Sequence, residues 1–331
     1  MNGSVSMVSR FRILLMFCLV LGTVPARAAD VLRVGVQTTG TFAWQLDVIR
    51  RHGLAENAGL DLKITQYASP DAGKLALNSG SVDVAVVDWL WVARARALGG
   101  KLLFYPYSSA AGAVMVKGDS PVHKISDLKN RVLAVAGGPL DKSWLIVQVA
   151  ATRAGIDLKR ETTLEYGAPP LIAQKLQQGE AAAALNFWNF CARQEALGYR
   201  RILEVRDAEA ALGMKQPVAL IGYAFSEQFV ASHRAVIDRF IAVTHKANEI
   251  LLQSDQEWEA LRPLMQAEDE ATFKAYRDRT REGMPRRQVS EEEADARALF
   301  GTLAAVGGPD LLGPSRQLES GLYYQPAAGG D

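Results

Sequence analysis

The 331-residue chain is poor in the residues that build metal sites and disulfide frameworks. It contains two cysteines, Cys18 and Cys191, four scattered histidines and no C-x-x-C pair. Neither a zinc site nor a disulfide-rich scaffold is therefore expected. The 37 basic and 36 acidic side chains leave a formal net charge of +1, so no excess of positive charge points to nucleic acid as a partner.

Motifs of common enzyme classes are also missing. The sequence has no G-x-S-x-G, no H-E-x-x-H, no G-x-G-x-x-G dinucleotide turn and no phosphate-binding P-loop. What is present is a composition of 49% hydrophobic and 22% charged residues, which is typical of a folded, soluble protein. We expect no catalytic residue, no cofactor and no resident metal.

Residues 1–28 have the layout of a cleavable signal peptide. Two arginines precede an unbroken apolar run over residues 13–21, and Ala26-Arg27-Ala28 forms an A-x-A cleavage site. The run is shorter than the ~20 residues that a membrane-spanning helix needs. The sequence thus predicts a periplasmic protein in which Cys191 has no partner cysteine and is a buried, inert thiol.

Predicted strands and helices alternate twice along the chain in the same order. The helix stops Leu77–Gly80 and Leu176–Gly179 share the pattern L-x-x-G and occupy equivalent places. One βαβαβ unit used twice indicates an α/β fold with two mainly parallel sheets flanked by helices. The predicted strands are 32–37, 60–65 and 82–87 in the first unit and 131–136, 162–166 and 181–185 in the second.

Two further strand-like segments, 113–117 and 218–223, link the two units. A chain that leaves the first unit, builds the second and returns forms two lobes joined by a double hinge, with a cleft between them. Lobe 1 is predicted to comprise residues 29–110 and 222–331, and lobe 2 residues 111–221. Helical periodicity follows from residue 229, and the Gly- and Pro-rich tail from residue 307 is expected to run over the surface.

The candidate ligand-binding residues directly follow predicted strands, because ligands of parallel α/β sheets bind beyond the carboxyl ends of the strands. Amides and hydroxyls orient a ligand, while aromatic faces supply apolar contact. Trp44, Trp91 and Tyr223 lie near these positions but also fit a core. The candidates are Gln37, Thr38, Thr39, Asp88, Trp89, Gly138, Asp141, Ser143, Asn186 and Trp188.

Several segments resemble the periplasmic binding proteins for aliphatic sulfonates, taurine, nitrate and pyrimidine precursors. The resemblance covers about residues 31–250 and implies a two-lobed (type II) periplasmic binding protein, the solute-binding component of an ABC importer. Such a protein closes on a small molecule and docks, as a monomer, on an inner-membrane permease with its ATPase. The segments that carry the resemblance are 34–37, 77–85, 117–121, 125–132 and 225–229.

The chain departs from the sulfonate pattern by offering two carboxylates to the predicted cleft. Asp88 and Asp141 together would repel a simple anion, which leaves a zwitterion, a heterocycle or a metal complex equally open; Asp141 is explained as well by a helix-capping role. Two other functions fit the same fold. One is an enzyme of the pyrimidine-precursor or menaquinone-pathway type, although the Cys-rich motif of the pyrimidine synthases is absent, and the other is a periplasmic sensor partner.

Overall fold

The computed structural model describes residues 28–38, 40–307 and 309–327. Residues 1–27 of the predicted signal peptide and the candidate Thr39 lie outside the described residues. The strands are β1 (Asp30–Gln37), β2 (Leu60–Tyr67), β3 (Val84–Asp88), β4 (Leu102–Ser108), β5 (Ala113–Val116), β6 (Val132–Ala136), β7 (Thr163–Gly167), β8 (Ala183–Asn186), β9 (Arg200–Glu204) and β10 (Ile221–Ser226).

The helices lie between these strands and after the last of them. They are α1 (Phe42–Arg51), α2 (Leu54–Asn57), α3 (Pro70–Asn78), α4 (Trp89–Ala97), α5 (Lys142–Arg153), α6 (Leu158–Glu161), α7 (Pro169–Gln178), α8 (Trp188–Ala196), α9 (Val205–Ala211), α10 (Glu227–Gln253), α11 (Asp255–Met265), α12 (Glu270–Gly283), α13 (Val289–Gly307) and α14 (Pro309–Leu312).

The strands form two five-stranded sheets with the same topology. The first has the order β2-β1-β3-β10-β4 and the second β7-β6-β8-β5-β9. In each sheet the three βαβαβ strands are parallel, and the strand that follows a crossover lies antiparallel to them. The α/β architecture of a two-lobed periplasmic binding protein, with its repeated unit, is confirmed.

Two strands, β4 and β9, are not among the predicted ones, and both lie at a sheet edge. β4 carries Pro106, which cannot donate a ladder hydrogen bond and is tolerated at an edge. β9 begins with two arginines. Charged residues on an edge strand discourage pairing with another chain, and here they also interrupt the alternation of apolar residues by which a strand is recognised in a sequence.

The C-terminal segment covers the edge strand β4. The Phe104 N–H donates to the Leu322 carbonyl at 2.9 Å, and the Tyr324 N–H donates to the Phe104 carbonyl at 2.8 Å. Leu322, Tyr323 and Tyr324 are all buried. The expectation that the tail runs over the surface is therefore wrong for residues 322–324.

Two C-terminal helices pack against the second sheet's helices although they follow the return crossover. Helix α12 lies against α8, and α13 lies against α5. One apolar core runs from Val87 and Trp89 beside the first sheet to Leu133 and Trp144 beside the second, and it includes Phe300 of α13. The C-terminal helices thus connect both halves of the molecule.

Cys191 is fully buried, as the composition suggested. Its Sγ–H reaches the Asn186 carbonyl at 3.3 Å. Burial raises the pKa of this thiol to about 11, so it stays protonated at neutral pH and is a poor nucleophile.

Candidate functional site

Six helices begin shortly after parallel strands, at the carboxyl edges of the two sheets. α1, α3 and α4 belong to the first sheet, and α5, α7 and α8 to the second. Trp44 of α1 and Trp188 of α8 meet edge to face, with ring centroids 6.1 Å apart. The two edges therefore face each other across a cleft, and the positive ends of these helix dipoles lie at its walls.

Gln37 and Thr38 lie in the turn that leaves the first strand. The Thr38 N–H donates to the Tyr67 carbonyl at 3.0 Å, and the Gly40 N–H donates to the Gln37 carbonyl at 3.0 Å. Gln37 is half-buried and Thr38 is exposed. The turn therefore holds both side chains at the edge of the first sheet.

Asp88 ends β3 and caps helix α4. Its Oδ1 accepts a hydrogen bond from the Trp91 N–H at 2.7 Å, and its Oδ2 lies 3.5 Å from Lys74 Nζ. Burial would raise the pKa of this carboxyl, but the charges of Lys74, Arg94 and Lys142, with the Trp91 hydrogen bond, hold that pKa below its ordinary value. Asp88 is thus an ionised carboxylate already engaged by its neighbours.

Asp141 plays the same part at the second sheet. Its Oδ1 accepts from the Ser143 N–H at 2.9 Å and the Trp144 N–H at 3.4 Å. Its Oδ2 lies 3.6 Å from Lys142 Nζ, and the Gly138 carbonyl accepts from its N–H at 2.9 Å. Both aspartates of the cleft are therefore helix caps with a lysine beside them.

Three cations converge on these caps from both sheets. Lys74 and Arg94 come from helices of the first sheet and Lys142 from the second; we call them the cationic cluster. Arg94 Nη2 reaches across to the Leu140 carbonyl at 3.4 Å, and the charge of Lys142 acts on Asp88 in the opposite half. Arg94 Nη1 is buried and has no hydrogen-bond partner among the described residues.

The cationic cluster outnumbers the carboxylates that face it. Asp88 and Asp141 balance two of its three charges. Asp71 also lies 3.5 Å from Lys74, but its side chain is 91% exposed and its charge is screened by solvent. Within the described ranges, Arg94 therefore has no carboxylate in an ion pair with it, and its Nη1 has no hydrogen-bond partner.

Aromatic rings continue from the cationic cluster into the cleft. Lys74 Nζ lies 5.7 Å from the Trp91 ring centroid, and Lys142 Nζ lies 4.6 Å from that of Phe187. The next residue, Trp188, is only 7% exposed and packs edge-on against Trp44. Charged and apolar surfaces thus lie side by side in the cleft.

A narrow cavity of about 10 Å³ opens beside these two tryptophans, which is room for about one water molecule. Thr41, Tyr107 and Met284 are among its other lining residues. Burial raises the pKa of Tyr107 to about 12, against the opposing effect of a hydrogen bond with Thr41. The Tyr107 hydroxyl therefore stays neutral.

Three of the sequence-predicted residues are core residues that shape the cleft from behind. Trp89 is fully buried and packs on Phe300, with centroids 6.2 Å apart. Ser143 and Asn186 are at most 2% exposed. Asn186 Nδ2 donates to the Pro169 carbonyl at 3.0 Å, which fixes the end of β8.

None of the three cations of the cationic cluster is among the sequence-predicted site residues. Lys142 is next to Asp141, and Arg94 lies three residues after Trp91 on α4 and so shares its face; these two spacings are the signals that could have found them. Lys74 lies on the preceding helix, and no sequence pattern connects it to Asp88, because their contact depends on how α3 packs on β3.

The family model described as "NMT1/THI5 like" matches residues 48–258, more than half of the chain. The chain belongs to the NMT1/THI5-like family. No curated protein matches the sequence significantly.

Solved structures with the same fold include periplasmic sulfonate-binding proteins. SsuA of Escherichia coli, an aliphatic sulphonate-binding protein, has a TM-score of 0.71 at 19% identity, covering 90% of this chain and 93% of its own. The alkanesulfonate-binding SsuA of Xanthomonas axonopodis pv. citri, bound to MOPS, has a TM-score of 0.71 at 17% identity; the match covers 89% of this chain and 98% of that one. The sulfonate-binding SsuA of Methylobacillus flagellatus KT has a TM-score of 0.67 at 13% identity; the match covers 90% of this chain and 92% of that one.

At these identities the likeness establishes the fold. Among the described residues, no group of three or more His, Cys, Asp or Glu side chains could hold a metal ion. Within the same ranges, no helix has the length and apolar character needed to cross a membrane.

Proposed function

We propose that this chain is the solute-binding component of an ABC importer and that its solute carries an anionic group. The proposal is supported by membership of the NMT1/THI5-like family and by the fold shared with sulfonate-binding proteins. Residues 1–28 direct export to the periplasm. The mature chain captures the solute as a monomer and passes it to a membrane permease and its ATPase, with no catalytic residue and no cofactor.

The lobes divide at the two crossovers. Residues 29–110 and 222–331 form one lobe and residues 111–221 the other, with α12 and α13 lying across the boundary. Solute contacts both lobes in the closed form, so it shifts the population towards closure.

The excess charge of the cationic cluster is the observation that favours an anion. The sequence alone suggested that Asp88 and Asp141 would repel one. In the structure each carboxylate caps a helix beside a lysine, while Arg94 Nη1 lacks an acceptor. An incoming sulfonate, carboxylate or phosphate oxygen supplies that acceptor and neutralises the remaining charge.

The other contacts follow from position around the cleft. Asp88 and Asp141 orient the lysines rather than the solute, and Trp89, Ser143 and Asn186 support the walls. The proposed solute contacts are Gln37, Thr38, Thr39, Gly138, Trp188 and the cationic cluster.

Calorimetric titration of the mature chain tests the class of solute. The probes are ethanesulfonate, MOPS and nitrate as anions or anion-bearing molecules, taurine as a zwitterion and choline as a cation. We expect binding by at least one anionic probe. Arg94→Gln should weaken it by about 10- to 100-fold, the usual value of a hydrogen bond to a charged group.

The matched control is Lys246→Met, which removes an exposed cation from α10. It should leave affinity unchanged. Binding of choline but of no anionic probe, or equal affinities for Arg94→Gln and the control, would refute the anionic class.

N-terminal sequencing of the exported protein tests the signal peptide, and a first residue other than Ala29 would place the cleavage site elsewhere.

A further inference from the structure

Two buried carboxylates hold adjacent N–H groups of the second crossover. Glu209 on α9 accepts from the Val218 N–H at 3.4 Å, and Glu292 on α13 accepts from the Ala219 N–H at 3.1 Å. The two glutamates are 1% and 3% exposed. The chain between α9 and β10, which returns from the second sheet to the first, is thus clamped by acids from two different helices.

The two acids differ in how their charge is compensated. Glu292 Oε1 accepts from Arg287 Nε at 3.0 Å, and Arg287 also pairs with Asp295. Glu209 has no such cation, and its Oε1 is buried without a hydrogen-bond partner among the described residues. Burial raises the pKa of Glu209 to about 8, with the charge of Glu292 adding to the rise and the Val218 N–H opposing it.

In the part of the chain that the structure describes, no cation makes a hydrogen bond or an ion pair with Glu209. Helix α5, packed on α9, carries its charges at its two ends. The arginines of β9 bind the Gly118 and Ser120 carbonyls and Glu195. Other ionisable groups on the same elements are Arg206 and Asp207 on α9, the exposed Lys215 between α9 and β10, and Glu293 and Asp295 on α13. Tyr323 also interacts with Glu292; its hydroxyl is buried, and its pKa is raised by burial and by Glu292.

We propose that Glu209 and Glu292 form a proton-linked hinge, in which a proton on Glu209 lets the two acids stay together and keeps the crossover in its closed arrangement. Loss of that proton to solvent leaves two charged carboxylates on adjacent N–H groups, in a medium of low dielectric constant. Like charges so placed repel, and the strain is relieved when the crossover moves and water reaches Glu209. This inference rests on the lobe movement of the proposed function.

The proton linkage predicts the direction in which pH shifts the populations of the open and closed forms. If the open form lets Glu209 ionise at its ordinary pKa, the closed form binds the proton more tightly. Raising the pH through the raised pKa then shifts the population towards the open form, with no change in the solute contacts.

Fluorescence energy transfer between the lobes measures this shift in the mature chain without added solute. Dyes are attached through Gln66→Cys at the end of β2 and Gln174→Cys on α7, two exposed positions beside different sheets. Cys191 is buried and its thiol stays protonated, so it does not compete for label. The distance between the dyes should lengthen between pH 6 and pH 9.

Three variants in this labelled background identify the cause. Glu209→Gln should abolish the lengthening, and Glu292→Gln should move its midpoint to lower pH because the repelling charge is gone. The exposed Glu268→Gln should follow the parent.

A constant distance in the parent, or the same lengthening with Glu209→Gln, would overturn the proposal. Calorimetry at pH 6 with the anionic probe separates the two hypotheses. Retained binding without a pH response refutes the hinge alone, while a pH response in a chain that binds only the cationic probe refutes the anionic solute alone.

Discussion

Replacing Glu209 by glutamine should stabilise the protein at neutral pH. The pKa of this buried carboxyl is about 8, against 4.5 for an ordinary glutamate. Between these values the side chain is protonated when folded and ionised when unfolded. Each rise of one pH unit in that window therefore lowers the free energy of unfolding by about 1.4 kcal/mol.

The stability that Glu209 contributes is thus fully present below pH 4.5 and is lost as the pH rises towards 8. At pH 7 the accumulated loss is about 3 kcal/mol. Glu209→Gln stays neutral in both states, and its amide oxygen still accepts from the Val218 N–H. Its advantage should approach about 3 kcal/mol at pH 7 and vanish near pH 4.5.

Urea unfolding at pH 5, 6, 7 and 8 measures both chains, with the free energy extrapolated to water. Glu268→Gln is the control, because that carboxyl is exposed and its loss should leave the slope with pH unchanged. Parallel pH profiles for Glu209→Gln and the parent would show that Glu209 titrates normally and that the reasoning is wrong.

Three further changes test the packing of the protein by urea unfolding. Gly112→Ala should cost about 3 kcal/mol or more, since its Cβ would stand 1.7 Å from the Asn186 carbonyl oxygen; a chain of normal stability would mean that the first crossover is built differently. Trp258→Ala should cost about 3–5 kcal/mol because the ring is fully buried, and a smaller loss would place it outside the core. Arg33→Ala should cost about 1–3 kcal/mol by removing two side-chain hydrogen bonds from buried Asp83, and an unchanged value would show that the pair is broken in solution.

The repeated unit could be predicted from the sequence because parallel strands that are buried on both faces are continuous apolar runs. Val84 to Val87 and Ala181 to Leu185 are such runs, and each comes within a few residues of an L-x-x-G stop. The edge strands β4 and β9 gave no such signal, since one contains proline and the other begins with arginine. Edge positions tolerate both, so composition there does not report strand structure.

The candidate residues at strand ends differ in whether they line the cleft or lie in the core, and one physical reason explains the difference. A position after a strand fixes which edge of the sheet a side chain is near, but neighbouring layers decide whether it faces solvent or core. Trp188 lines the cavity, whereas Trp89, at the equivalent place in the first unit, is covered by Phe300 of a helix more than 200 residues later in the chain.

The sequence by itself determined the fold class, the doubling of the βαβαβ unit and the two crossovers, because each depends on local periodicity. The tertiary structure alone decided how the charges of the cleft are paired. Lys74, Asp88, Arg94 and Lys142 interact across packed helices and across the two sheets. Coulombic energy depends on distance and burial, and neither quantity is written in the spacing of residues along a chain.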